Sequence, residues 1–411
     1  MKVGGKRVLI LTADAGFGHR SAANAVAAAL RELYGDDCAV EIVNPLEDDR
    51  VPAFLRHSQT DYDRIVRDMP DLYKFGYEAS DSLVPSVMVE SALTVMLFEA
   101  MDDLVRRHQP DAIVTTYPLY QSPLSAVYTI RRRRIPLLTV VTDLATVHRL
   151  WFHEIADLCL VPTPKVQDLA RLHGLPANKV RVIGIPVHPD LAREDRDSVV
   201  IRAELGWRSD LTTVLAVGGK RVGHLMDVLT VLNHSGLPLQ LVIVAGGDDE
   251  LYHQLEGIEW HTVVHLHHFV QNMPTLMHAA DFIVCKAGGL IVTEALACGL
   301  PLLLIDVLPG QETGNADYVL EGGAGELAQD PVAALEIFYH WLAGDQALLR
   351  ERAQSAQRLG RPQAAYEIAE QVWATAKRGP HERADRPIAV QSKLIALLNR
   401  FGIPVERKAS V

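Results

Sequence analysis

Residues 281–315 read DFIVCKAGGLIVTEALACGLPLLLIDVLPGQETGN. The apolar run 282–285 has the pattern of a strand buried on both faces. Gly288 and Gly289 follow, where the backbone can turn sharply and admit a ligand. Residues 290–298 read as a short helix stopped by Gly299, and Pro301 opens a second strand over 302–306. A helix opening at the glycine pair presents unpaired N–H groups and the positive end of its dipole to an anion. Glu294, one turn in, can face the same crevice. The loop after the second strand carries Gln311, Glu312 and Asn315, three side chains able to bond hydroxyl groups. A Gly-Gly pair alone marks any βαβ unit; the ordered string is more specific.

Outward from this stretch, the second half of the chain repeats strand and turn. Residues 213–217 form a strand that ends in Gly218 and Gly219, a turn able to approach a diphosphate, with Lys220 and Arg221 following. Strands are also expected at 240–245 and 263–269, the latter leading into Phe269, Val270 and Met273. Histidines 265, 267 and 268 occupy adjacent and alternate positions on a strand. They do not converge on one ion, so no metal site is expected. Helices are expected at 333–342, 345–359 and 364–377. Residues 190–210 are polar, with a short helix at 199–205, and read as a hinge. Residues 388–401 read as an amphipathic tail that docks on protein or on a membrane surface.

The first half opens with a strand at 7–12, a turn at 14–21 and an Ala-rich helix at 22–33. Ser21 stands where a dinucleotide fingerprint needs its third Gly. The strand 40–43 ends in Asn44 rather than an acid, so no nicotinamide cofactor is expected. Asp14 lies at the carboxyl end of its strand, where open α/β sheets hold their crevices. His19 lies near a helix N-terminus, which keeps the ring neutral and able to accept a proton. The bland alternative is a histidine that packs or caps. Further strands are expected at 112–116, 137–141, 158–161 and 180–183. Thr142-Asp143 ends one of them, with His148 and Trp151 beyond. Arg131 to Arg134 suit either a solvated helix end or an anionic lipid surface. Between 45 and 105, prolines break an aromatic stretch near Tyr73–Tyr77, and 86–105 reads as a long apolar helix.

The whole chain has 411 residues, enough for two cores, with 48% hydrophobic and 22% charged residues. Its formal net charge of −11 argues against a general nucleic-acid role. Four scattered cysteines form neither a disulfide framework nor a zinc spacing, which fits a reducing compartment. No apolar run is long enough to span a bilayer, and 8–11 is too short for a signal-peptide core.

Taken together, Lys-Ala-Gly-Gly at 286–289, Thr293-Glu294-Ala295, Gly299-Leu300-Pro301 and Pro309-Gly310-Gln311-Glu312 with Asn315 resemble the donor site of family 28 glycosyltransferases. The likeness is to the MurG and monogalactosyldiacylglycerol synthase type, including the processive diacylglycerol glucosyltransferases. The turn at 14–19 resembles the Asp-x-Gly-Gly-Gly-His loop of the diacylglycerol enzymes, with Phe17 in place of the middle Gly. Asp143, His148 and Trp151 resemble that family's acceptor side. Ile291 and the Lys220-Arg221 pair depart from the pattern.

This resemblance implies a GT-B fold: two doubly wound Rossmann-like α/β domains facing across a cleft. Domain 1–190 would face acceptor and membrane, 211–378 would bind the donor, and 379–411 would form a linker and tail. It implies inverting transfer of a hexose from a UDP-sugar to a lipid hydroxyl, with diacylglycerol as the expected acceptor, and without metal or other cofactor. His19 would be the base, aided by Asp14. Glu294 would hold the ribose. Gln311, Glu312 and Asn315 would hold the sugar, and Gly218, Gly219, Gly288 and Gly289 the diphosphate. Phe269, Val270 and Met273 would line the uracil pocket. His148 and Trp151 would border acceptor and lipid. The expected location is cytoplasmic, peripheral on the inner face of the cell membrane, at an anionic surface. A UDP-sugar 2-epimerase, a transferase to another acceptor, and a non-catalytic UDP-sugar or lipid-binding protein remain open.

Overall fold

The computed structural model describes residues 5–14, 17–56, 83–219, 222–310, 312–382, 394 and 398, with the backbone course alone for Phe17 and 83–89. In the first half lie β1 (Lys6–Leu11), β2 (Cys38–Val43), β3 (Ala112–Thr115), β4 (Arg133–Arg134), β5 (Leu137–Val140), β6 (Leu158–Val161) and β7 (Val180–Val182). All but β4 form one sheet, ordered β2-β1-β3-β5-β6-β7, with every neighbouring pair parallel. In β3, β5 and β6 every residue is buried, as strands covered by helices on both faces must be.

The second half supplies β8 (Thr212–Val217), β9 (Leu239–Val244), β10 (Val263–His267), β11 (Phe282–Lys286), β12 (Leu302–Asp306) and β13 (Gly325–Leu327). They form a second parallel sheet, ordered β10-β9-β8-β11-β12-β13. In the first sheet the chain leaves β1 for β2 on one side and returns to β3 on the other. In the second, β8 separates β9 from β11 in the same way. Each reversal opens a crevice at the carboxyl ends of the two strands flanking it. The residues after β1 and β3, and those after β8 and β11, therefore face the two crevices.

Three segments take their place only through tertiary packing. The expected hinge folds into helices Pro189–Arg193 and Ser198–Glu204. Leu191, Ile201 and Trp207 are buried in the second core. Arg202 donates to the carbonyl of Ala279 at 2.7 Å and pairs with Asp281 at 2.8 Å. Scattered apolar residues among charges hide this from composition. The last long helix, Ala364–Arg378, returns to the first sheet. Its Ala365, Ile368, Ala369 and Val372 share a core with Val8, Ile10, Val26 and Leu30, and Trp373 stacks on Tyr34 at 4.5 Å. By packing, 364–378 thus joins the first layer although sequence order groups it with the second. Beyond it, β14 (His381–Glu382) pairs antiparallel with β4, and Leu398 is buried beside Leu97 and Met101. At these positions the chain's end lies on protein; the rest of 388–401 is outside the described residues.

The arginine run is an exposed helix end tied to neighbouring side chains. Arg131 pairs with Asp102, Arg133 donates to Gln109 at 3.1 Å, and Arg134 pairs with Asp157 at 2.9 Å. They stand at the amino end of β5, opposite its crevice, and three of the four are engaged with protein. The aromatic stretch near Tyr73–Tyr77 lies outside the described residues. Among the described residues no helix is long and apolar enough to cross a membrane.

Candidate active site

The helix after β1 spans Phe17–Tyr34, so it starts five residues earlier than its apolar pattern, and His19 sits in its first turn. Thr116, just past β3, donates through its hydroxyl to the carbonyl of His19 at 3.0 Å. Tyr117 meets the imidazole edge-on at 5.0 Å and Trp151 lies 6.0 Å away on another side. Thr142 Oγ1 stands 3.0 Å from Nδ1. Burial among these groups pushes the His19 pKa down to about 4, so the ring is neutral at ordinary pH.

Asp14, expected to assist His19, is held elsewhere. Its carboxylate accepts Arg20 Nε and Nη2, each at 2.8 Å, and Asn44 Nδ2 at 2.9 Å. The Arg20 bonds above all keep its pKa below the usual range. The group set against Nδ1 of His19 is a hydroxyl, not this carboxylate. Trp151 is only 2% exposed and packs in the core with Val141, Phe152 and Val161, so it backs His19 rather than bordering lipid. His148 Nδ1 accepts from the Leu150 backbone at 3.2 Å and caps the turn that carries Trp151. Asp143 faces the other half of the molecule: Oδ1 lies 3.9 Å from where a side chain on Gly289 would begin.

In the second crevice the glycines divide by role. A Cβ on Gly218 would lie 2.6 Å from Leu251 and 2.8 Å from Leu225, so packing requires glycine there. Gly219 has φ +144° and open space around it, which leaves its backbone accessible. A Cβ on Gly288 would come within 3.2 Å of Lys286 Nζ, and one on Gly289 within 3.0 Å of the Thr142 carbonyl. Lys286 therefore puts a cation at the turn that opens the helix Gly289–Ala297, while Gly289 permits the two halves to touch. His224, at the start of helix Leu225–Asn233, is clamped on Asp306: Nδ1 is 2.6 Å from Oδ1 and its N–H donates to Oδ2 at 3.1 Å. That carboxylate raises the His224 pKa.

Glu294 is half-buried with no hydrogen-bond or ion-pair partner among the described residues, and desolvation raises its pKa to about 7. Such a carboxylate suits a ligand that brings its own hydroxyl donors. Phe269 is 62% exposed beside Gly247, while Val270 and Met273 pack at the edge of the second core. Ile291 packs there too. Glu312 is buried; it pairs with Lys286 and accepts the Leu308 N–H at 3.1 Å.

Asn315 departs most from expectation. It is 1% exposed, donates to the Ala287 carbonyl at 3.1 Å and accepts the Leu144 N–H at 3.0 Å. Its amide stitches the two halves together rather than facing a sugar. Gly314 beside it is just as close: a Cβ would sit 2.3 Å from Thr146 Oγ1. Gln311, Lys220 and Arg221 lie outside the described residues. Among the described residues no group of three metal-ligating side chains converges. Sequence reasoning passed over Thr142, Tyr117 and Lys286 as site residues. Lys286 had a visible signal, since it is the last residue of a strand that runs into a Gly turn.

Comparison with known proteins adds the family. The model described as monogalactosyldiacylglycerol (MGDG) synthase matches residues 19–187, and that of the glycosyltransferase family 28 C-terminal domain matches 223–369. Monogalactosyldiacylglycerol synthase of Spinacia oleracea is 33% identical over 376 residues, 88% of this chain and 71% of that protein. Monogalactosyldiacylglycerol synthase 1, chloroplastic, of Arabidopsis thaliana is 31% identical over 373 residues, 88% of this chain and 70% of that protein. MurG of Acinetobacter baumannii superposes with a TM-score of 0.59 at 16% identity, covering 90% of this chain and 99% of that one. UDP-GlcNAc 2-epimerase of Neisseria meningitidis, bound to UDP-GlcNAc, gives 0.58 at 15% identity, covering 90% and 100%. At such identities these structures show the shared GT-B fold alone.

Proposed function

We infer, since this chain belongs to the monogalactosyldiacylglycerol synthase family and is a UDP-sugar-dependent glycosyltransferase, that it moves a hexose, with inversion, onto the free hydroxyl of diacylglycerol. The observation that carries this reading is the desolvated, neutral His19 at one switch point, with the unpartnered Glu294 and the Lys286 turn at the other. The residues up to about 190 serve as the acceptor side and those from about 211 as the donor side, with helix Ala364–Arg378 tying the two.

In this mechanism the acceptor oxygen attacks the anomeric carbon from the face opposite UDP. The bond from that carbon to the diphosphate oxygen breaks, and the electron pair leaves with UDP. His19 takes the hydroxyl proton as the new bond forms. Lys286, the Gly219 backbone and the N–H groups opening the Gly289–Ala297 helix balance the charge of the leaving diphosphate. Glu294 accepts from the ribose hydroxyls. Phe269, Val270 and Met273 flank the uracil. Glu312 and Gln311 take the hexose hydroxyls once the diphosphate draws Lys286 away from Glu312.

Pure protein incubated with a panel of radiolabelled UDP-sugars, with and without diacylglycerol, tests the reading. Labelled glycolipid formed only with diacylglycerol supports it. A changed free sugar released without acceptor would make the protein an epimerase instead. Because protein groups carry the diphosphate charge in this mechanism, transfer is expected to continue in EDTA. Complete loss, restored by magnesium or manganese, would overturn that assignment.

A lipid acceptor does not leave its bilayer cheaply, since each exposed methylene costs about 0.8 kcal/mol. The enzyme must therefore work at the surface, and we place it on the cytoplasmic face, where its four free cysteines stay reduced. With a net charge of −11 the attraction has to be local, and salt should weaken it over a Debye length of about 10 Å. Flotation with anionic vesicles at low salt, lessened at high salt, is the expected result. Protein that stays in the soluble fraction at low salt would remove the physical support for a lipid acceptor.

A further inference from the structure

The contact between His19 and Thr142 has a consequence for which ring nitrogen does the chemistry. A neutral imidazole carries one N–H and one lone pair, and the partner of one nitrogen decides the state of the other. Nδ1 faces Thr142 Oγ1 at 3.0 Å. The ring is wedged by Tyr117 and Trp151, and its backbone is tied by Thr116, so it cannot readily turn to exchange its nitrogens. Thr142 is itself held. It lies two residues past β5, its carbonyl abuts Gly289, and the next turn is pinned at Leu144 by Asn315 on one side and by Thr163 Oγ1, at 2.7 Å, on the other.

We propose that Thr142 is a positioning residue: its hydroxyl oxygen accepts the Nδ1 proton of His19 and so leaves Nε2 with the lone pair that receives the acceptor's proton. The inference rests on the reading of His19 as the base. A threonine hydroxyl can donate or accept. The ring also meets the Thr116 backbone in a hydrogen bond, and the accepting arrangement at Thr142 is the one that leaves the lone pair on Nε2. No charged group has to move, and the proton passes from the acceptor hydroxyl to Nε2 while Nδ1 keeps its own. The donor helix abuts the Thr142 carbonyl, so the contact between the two halves also holds the partner of the base in place.

Ring-15N histidine labelling of the full chain reads the tautomer directly, without substrate, with the His19 signals assigned by their loss in His19→Gln. Wild type should show a protonated Nδ1 and a bare Nε2. A wild type protonated at Nε2 would overturn the proposal, and this reading needs no folded Thr142 variant. Thr142→Ser should keep the tautomer and the turnover. Thr142→Val, nearly the same shape, should populate the other tautomer and lower kcat roughly tenfold or more, with KM for UDP-sugar unchanged. A Val variant with wild-type tautomer and kcat would also overturn it. If His19→Gln still transfers hexose while wild type shows the expected tautomer, the base assignment fails instead, and the two failures are told apart.

Discussion

Replacing His19 by Gln should lower kcat for hexose transfer by roughly 10²–10⁴-fold while UDP affinity stays at the wild-type value. The change removes the proton acceptor on the first sheet and leaves the second crevice intact. Calorimetry with UDP beside a transfer assay separates the two effects, and a variant that keeps its turnover would refute the assignment. The pH dependence sharpens the test. Burial holds the His19 pKa at about 4, below the ordinary 6.5. The base is therefore lost only as pH falls through about 4. At saturating donor, kcat should stay level from about pH 8 down to about pH 5, with no step near 6.5. Thr116, Tyr117, Thr142 and Trp151 surround the ring without a formal charge, and the Asp14–Arg20 pair flanking it in sequence is internally balanced. A kcat step centred near 6.5 would mean that the ring is wetter than its packing implies.

Replacing Glu294 by Ala should weaken UDP binding by roughly 1.5–3 kcal/mol, about 10- to 150-fold in Kd, through loss of a charge-assisted bond to a hydroxyl. Unchanged UDP affinity in a folded variant would refute the ribose assignment. The same carboxylate carries a stability signature. Its folded pKa, about 7, lies above the ordinary 4.5. The folded protein thus holds this proton more tightly than the unfolded chain. Stability from this group is present below about pH 4.5 and is lost as pH rises through about 7, by about 3 kcal/mol at full effect. Glu294→Gln should therefore raise the melting temperature of the ligand-free protein at pH 8 and leave it little changed at pH 4. UDP should erase most of the difference in wild type. A Gln variant that melts lower at pH 8 would show that the carboxylate already has a partner.

These two residues stand out as candidates in the sequence because their signals are local. An apolar run, a glycine turn and a residue one turn into the next helix define Glu294 within a dozen positions. His19 follows a strand end in the same way. The strands themselves were legible for a similar reason, since parallel strands buried on both faces leave short, nearly pure apolar runs. Where the two sheets reverse strand order was not visible, yet that reversal is what turns two strand ends into a crevice.

The tertiary structure decided the rest, because hydrogen-bonding capacity is used up by whatever surface arrives from elsewhere. Asn315 looked like a sugar ligand until Leu144, 171 residues away, took its oxygen. Trp151, which the resemblance set at the border of acceptor and lipid, is closed over by the first core. The arginines at 131–134 suited a solvated helix end or an anionic lipid surface, and Asp102, Gln109 and Asp157 meet three of them. Thr142 carried no motif at all; it becomes part of the site only because β5 ends beside a histidine 123 residues earlier in the chain. Local pattern determines which backbone forms and which faces are apolar. Which polar atoms remain free for a ligand depends on how those faces meet.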